Sequence, residues 1–308
     1  MKAWTRPIAF LSDIDASVRR MDCIDLCSVL TLLLALFYGA DFWYVNVPLR
    51  ILCFSALVVP LLREKPLLWF LLLAALTAGN VRNWITIDNH KYLINYWVLV
   101  LFLVNCVPPE KRPIVLRTNA RVLLLLCFGF ATLQKVLSED YLDGRFFQFE
   151  LLFDERFETF AWLIAGVDWA VLQEFRILKA EMVYGFESGI DLVNIDLIDS
   201  GRLLFVSSLL TGWTLLIEGL IAASFVWRNP NLAVQQLRNW VLILFVISTY
   251  SVALVPGFAW TVIIMGLAQL PDGLERFRVA YLFLGLVFLQ LCEAPYVKIL
   301  ERVSGVLG

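Results

Sequence analysis

Charge is scarce in this sequence: 17% of residues are Asp, Glu, Lys or Arg, where soluble domains carry about 25%. Histidine occurs once, as His90, which excludes a His-rich metal centre. The six cysteines (Cys23, Cys27, Cys53, Cys106, Cys127 and Cys292) show no metal-ligand clustering beyond the isolated CxxxC of Cys23 and Cys27. They read as small apolar packing residues, and no metal is expected. A net charge of -2 leaves no basic field, so nucleic acid is excluded as a partner. Internal repeats, low-complexity tracts and splitting linkers are also missing, so residues 1–308 read as one domain. The first 22 residues lack the apolar core of a cleavable signal peptide, because Asp13, Asp15, Arg19, Arg20 and Asp22 interrupt them. They read as an interfacial amphipathic helix.

What fills the sequence instead is apolar surface. Hydrophobic residues make up 60% of the chain, mean hydropathy is +0.78, and 11 Trp and 23 Phe are present. A water-soluble core cannot absorb that excess, whereas lipid can, and aromatic rings favour bilayer interfaces. The expected fold is an all-α, polytopic integral membrane protein. A span needs about 20 mostly apolar residues. Runs near 24–43, 47–62, 66–81, 92–108, 118–137, 202–227, 239–256, 258–270 and 279–297 qualify or nearly so, giving eight or nine crossings. The second, third and eighth are short enough to tilt, extend or re-enter. Pro256-Gly257 divides the apolar stretch 239–270, as a tight hairpin or a kink would.

Basic residues orient the chain. With the N-terminus cytoplasmic, fourteen Lys and Arg from Lys2 to Arg278 flank the inner ends, against five outside (Arg50, Arg82, Lys91, Lys298 and Arg302). A long insert, residues 138–201, is then extracytoplasmic and carries 14 of the chain's 27 acidic residues. Within it, FETFAWLIAGVDWAVLQEFRI reads as a helix lying on the membrane or packed over the spans, and FESGIDLVNIDLIDS as a short extended segment.

Ionisable groups in or against spans are costly, which makes each one a candidate for function. His90 opens the fourth span and Lys135 closes the fifth. Those spans run antiparallel, so both residues are expected at one level in the outer leaflet. A lysine at a helix end commonly snorkels to water, and a histidine beside Asn89 and Lys91 commonly caps or lies at the interface. Glu218, in the sixth span, follows Arg202 by sixteen residues, which at about 1.5 Å each places it about 24 Å deep and below that level. A pairing with a neighbouring helix is expected for it. With nine crossings, Glu293 lies near the outer end of the last span.

Two stretches carry a resemblance. Asn89-His90-Lys91-Tyr92-Leu93 is similar to an Asn-His-x-Tyr-Leu element opening a span. FATLQKVLSEDYLDG is similar to a helix ending in Lys followed by an aromatic-Leu-x-Gly turn, here Tyr141-Leu142-Asp143-Gly144. Their order, spacing and position resemble the vitamin K-dependent γ-carboxylase and its bacterial relatives, the HTTM (horizontally transferred transmembrane) domain proteins, over about residues 20–298. The likeness departs at Thr249, where the pattern tends to carry a histidine, and in the large extra-membrane region of the eukaryotic carboxylase, which these residues do not include.

The resemblance implies a membrane enzyme of the lyase or quinol monooxygenase class in the bacterial inner membrane. Its cofactor would be a vitamin K or menaquinol-type hydroquinone. Lys135 would act as base and His90 as its partner at the carbon-acid step. Asn89, Tyr92, Gln134 and Trp84 would bind and orient, and Glu218 and Glu293 stand as secondary candidates. In the carboxylase, oxygenation of the quinol anion generates the base that deprotonates a glutamate side chain, and carbon dioxide captures the carbanion. The physical chemistry suits the assignment: a phenolic hydroxyl titrates near 10, so a neutral amine is needed to deprotonate it, and desolvation favours the neutral amine. Lipid, the quinol and a peptide or protein substrate are the implied partners. A rival reading makes the chain a non-catalytic module for maturation, export or immunity of a peptide partner, with the acidic insert binding a basic peptide. A transporter fits less well, because repeat symmetry and a line of charges through the central spans are lacking.

Overall fold

A computed structural model describes residues 21–39, 42–82, 84, 87, 89–184, 200–226, 231–271 and 273–293, with the side chains of 181–184 and 288–293 not among them. All regular structure among these residues is helical. The α-helices are α1 (Cys23–Phe37), α2 (Trp43–Val58), α3 (Pro60–Arg63), α4 (Pro66–Arg82), α5 (Asn89–Cys106), α6 (Arg112–Val136), α7 (Glu139–Leu142), α8 (Arg145–Phe153), α9 (Glu158–Phe160), α10 (Trp169–Tyr184), α11 (Gly201–Val226), α12 (Leu232–Tyr250), α13 (Pro256–Ala268) and α14 (Arg276–Glu293). The amphipathic reading of 1–22 falls mostly, and the extended reading of 186–200 almost wholly, outside the described residues.

Local chemistry sets many of the boundaries. Asp22 caps α1 by accepting from the Asp25 backbone N–H. Pro60, Pro66 and Pro256 stand at the first position of α3, α4 and α13, where a missing N–H costs nothing. The apolar stretch 239–270 is therefore two helices, with α12 ending at Tyr250 and α13 starting at Pro256.

Among the described residues, three helical segments are long and apolar enough to cross a membrane: Pro109–Val136, Gly201–Val226 and Leu232–Tyr250. Between 22% and 39% of each apolar window is buried, so most of that surface faces outward, as a lipid-facing helix requires. On α11, Phe205, Leu209, Leu216 and Leu220 are all exposed and share one side at about 100° per residue. Cys23–Phe37, Trp43–Val58, Pro66–Arg82 and Pro256–Ala268 are shorter apolar helices.

The chain divides into two compact units. The first holds residues 1–127, 224–243 and 256–292. Here α1 packs on α2, α2 on α4, α4 on α5, and α13 on both α1 and α5. Every residue of α13 from Ala259 to Ala268 is buried, and its 13 residues span only about 20 Å, so it serves as a core helix of this unit. Indole donors fix the packing at two fully buried tryptophans. Trp97 donates to Thr31 at 2.8 Å and Trp69 to the Arg63 carbonyl at 2.8 Å. A polar network also sits in this core: Asn239 Oδ1 accepts from Gln269 Nε2 at 2.7 Å and from the Tyr281 hydroxyl at 2.8 Å.

The second unit holds residues 128–223, 244–255 and 293–308. The insert has its own core, in which Phe147, Leu151, Leu152 and Phe153 of α8 join Leu172 of α10 and Leu203, Val206 and Leu210 of α11. The single helix expected over 157–177 is corrected. A π turn at Ala161–Ala165 stops at Gly166, whose φ of +70° is left-handed, and α10 begins at Trp169. Gly166 can adopt that backbone at little cost and Asp168 restarts the helix by accepting from the Ala170 N–H at 2.9 Å, so glycine and cap together override the continuous apolar pattern.

Candidate functional site

The second unit holds a buried polar cluster. Lys135 lies one residue from the end of α6, and its Nζ donates to Glu218 Oε1 of α11 in a close ion pair. The lysine side chain is 22% exposed and the glutamate 10%, so the pair is sunk in the unit and does not snorkel to water. Only one Glu218 oxygen is used; Oε2 is buried with no hydrogen-bond partner among the described residues. The amine also stands 5.3 Å from the Tyr141 ring centroid, a cation–π distance.

This placement corrects the expected depth of Glu218. Counting from Arg202 assumed that Arg202 marks the membrane surface. Arg202 instead donates to the Ile164 carbonyl at 2.8 Å and the Leu163 carbonyl at 3.2 Å, and the turns after it carry Leu203, Val206 and Leu210 into the insert core. The first part of α11 therefore belongs to the insert, and Glu218 meets the end of α6.

The Tyr141-Leu142-Asp143-Gly144 turn is built as a turn. Gly144 has φ +84° and leads into α8, while Asp143 accepts from the Arg145 N–H at 3.0 Å. The turn sets Tyr141 inward, 3% exposed, with its hydroxyl against Thr214 Oγ1. Thr214 spends its own hydrogen on the Leu210 carbonyl at 2.8 Å, so Tyr141 is the donor. Burial pushes the Tyr141 phenol far above its usual value, so it stays a neutral hydroxyl.

The remaining predicted residues lie elsewhere. His90 is the second residue of α5 in the first unit, half-buried, with its ring 5.8 Å from that of Tyr38. Tyr92 donates to the Trp84 carbonyl at 3.3 Å, and Trp84 itself is 71% exposed. Asn89 and Gln134 are exposed. The side chain of Glu293 is outside those described. Near the start of α5, Tyr38, Gly79, Asn80, Lys91, Ile94 and Asn95 line a cleft of about 10 Å³, the room of one water. His90 and Lys135 thus belong to different units.

Sequence reasoning missed the hydroxyls that share a helix face with Glu218. Ser207, Thr211, Thr214 and Glu218 are spaced four, three and four residues apart, which is one helix face, and that spacing was the available signal. Among the described residues no cluster of three or more His, Cys, Asp or Glu fit for a metal occurs. Comparison of the chain with protein-family models, with curated proteins and with solved structures found no match.

Proposed function

We propose that the chain is an HTTM-type membrane enzyme related to the vitamin K-dependent γ-carboxylase, crossing the bacterial inner membrane eight or nine times with its N-terminus in the cytoplasm, and that Lys135 is the basic group facing a lipid-soluble hydroquinone. The Lys135–Glu218 pair carries the reading: an amine and a carboxylate held in a largely apolar setting, with one carboxylate oxygen left over. Buried charges are rare and expensive, so such a pair asks for a use.

The donor set fits a phenolic hydroxyl. An amine, an unpartnered carboxylate oxygen and a nearby phenol can hydrogen-bond such a hydroxyl, and the amine and the carboxylate are the groups that can take its proton. Bound there, a hydroquinone would supply reducing electrons for oxygen chemistry. Lys135 would hold the hydroxyl and Glu218 would set the charge state of the amine. Tyr141, fixed by Thr214, would close the polar side of the site. His90, Asn89 and Tyr92 enter through the Asn-His-x-Tyr-Leu resemblance and act at the acceptor step. A separate or endogenous peptide is the acceptor in this reading.

Purified protein in lipid should oxidise a menaquinol-type hydroquinone or form its epoxide. Lys135→Ala should lower that turnover at least about a hundredfold, in keeping with the weight of a general base, and His90→Ala should lower carboxylation of an added glutamyl peptide. Unchanged rates in both variants remove the assignment. A Lys135→Met/Glu218→Gln double variant, which leaves no uncompensated charge, separates lost chemistry from lost folding.

A further inference from the structure

The face of α11 that bears Glu218 has a second property. Five side-chain hydroxyls in helices donate to the carbonyl four residues back, those of Thr31, Thr132, Ser208, Thr214 and Thr261, at 2.7–2.9 Å. This is the ordinary way for a helix to satisfy a hydroxyl. Ser207 and Thr211 break that habit. Both are buried (0% and 6% exposed), and neither oxygen has a hydrogen-bond partner among the described residues. Glu218 Oε2, on a residue 7% exposed, is in the same condition. All three belong to the Ser207–Thr211–Thr214–Glu218 face, about 180° around the helix from the exposed Phe205, Leu209, Leu216 and Leu220.

Unsatisfied buried polar atoms are costly, and three on one helix stripe are not a packing accident. The stripe runs about 16 Å, from the charged pair to the part of α11 embedded in the insert core. Hydroxyls and waters in file conduct protons, because each can accept one proton and release another. The stripe begins at a carboxylate with an open oxygen, passes Thr214, which accepts from Tyr141 and donates to the Leu210 carbonyl, and continues to Thr211 and Ser207, whose hydroxyls are not committed to a carbonyl.

We infer that Glu218 exchanges protons with the insert side of the protein through Thr214, Thr211 and Ser207, and so removes the proton that Lys135 receives. The inference rests on the reading of Lys135 as the basic group and adds the proton's destination. The balance is simple. The Lys135–Glu218 pair holds one labile proton on the amine; as Lys135 passes that proton to Glu218 it takes another from a phenolic hydroxyl whose electron pair stays on its oxygen, which leaves an ammonium and a carboxylic acid. Release along the stripe returns the pair to its starting state, with no oxidant or reductant consumed. Glu218 acts on the reaction through Lys135 and is a positioning residue in that sense.

Time-resolved infrared spectroscopy after an acid jump tests this on the full chain in lipid nanodiscs, with no quinol present. A protonated-carboxyl C=O band should emerge in the unsubstituted protein and be missing in Glu218→Gln. In Ser207→Ala/Thr211→Val, which removes two unsatisfied hydroxyls and so keeps the fold, the band should emerge at least about tenfold more slowly. An equal rate in that double variant, or no Glu218-dependent band while the protein stays folded, overturns the inference. The outcomes separate from the function reading. A normal infrared pattern in a protein inert toward quinol keeps the proton path and removes the enzyme, whereas Lys135-dependent quinol turnover with equal infrared rates keeps the enzyme and removes the path.

Discussion

At the scale of single residues, burial decides which charges matter. Glu158, 5% exposed, is matched by the Arg176 guanidinium, which also stands 5.9 Å from the Trp169 ring, so this acid of the insert is a structural clamp. Glu150 is different. Burial first, and then the hydrogen bond and charge of Asp154, push its carboxyl up to about 7. The ordinary carboxyl value near 4.5 describes it once unfolded. Between those two values the folded state holds the extra proton, so stability falls as pH rises and the cost is complete above about 7. Glu150→Gln should therefore flatten the pH dependence of insert stability across that window and stabilise the insert at pH 8. Hydrogen exchange of residues 145–184 against pH measures it, and an unaltered profile would show that Glu150 is not the titrating group.

At the scale of elements, the insert depends on one glycine and one arginine. Gly166 holds φ +70°, and a Cβ placed on it would stand 2.9 Å from Arg202 Nη1 and 3.0 Å from Arg202 Cδ. That arginine closes the carbonyl ends of the π turn. Gly166→Ala should cost about 1–2 kcal/mol from the backbone alone, and more if Arg202 is displaced. The expected signs are a lowered melting temperature and faster amide exchange over 161–176, with the amides of α1 and α5 unmoved. Helix α11 shows why depth is not a count of residues. Its apolar stripe continues from the insert core into the outward-facing stretch without a change in pattern, so nothing in composition marks where one environment ends.

At the scale of the whole molecule, the reading to test is topology. With the N-terminus cytoplasmic, a cysteine replacing exposed Glu139 or Asp140 should react with a membrane-impermeant maleimide in intact cells. One replacing exposed Glu110 should react only after the inner membrane is opened. The exposed native Cys106 lies near Glu110 and must be replaced by alanine first. The reverse labelling pattern would invert the protein and place the insert in the cytoplasm.

The all-helical character of the described chain, and the location of each apolar helix, were legible in the sequence. Long runs of Leu, Phe, Val and Ile admit few other structures, and prolines such as Pro60, Pro66 and Pro256 mark where helices restart. The turn at Gly144 entered through the resemblance, and the chain forms it with glycine in the left-handed region. The partner of Lys135 was not legible. An ion pair between residues 83 apart depends on where two helices meet, and that in turn on how much of α11 the insert consumes. The two hydroxyls that decline their own helix carbonyls were likewise settled by packing. Apolar pattern is a property of each segment alone, whereas the pairing of buried polar groups is a property of the segments' contacts, and contacts exist only once the chain has folded.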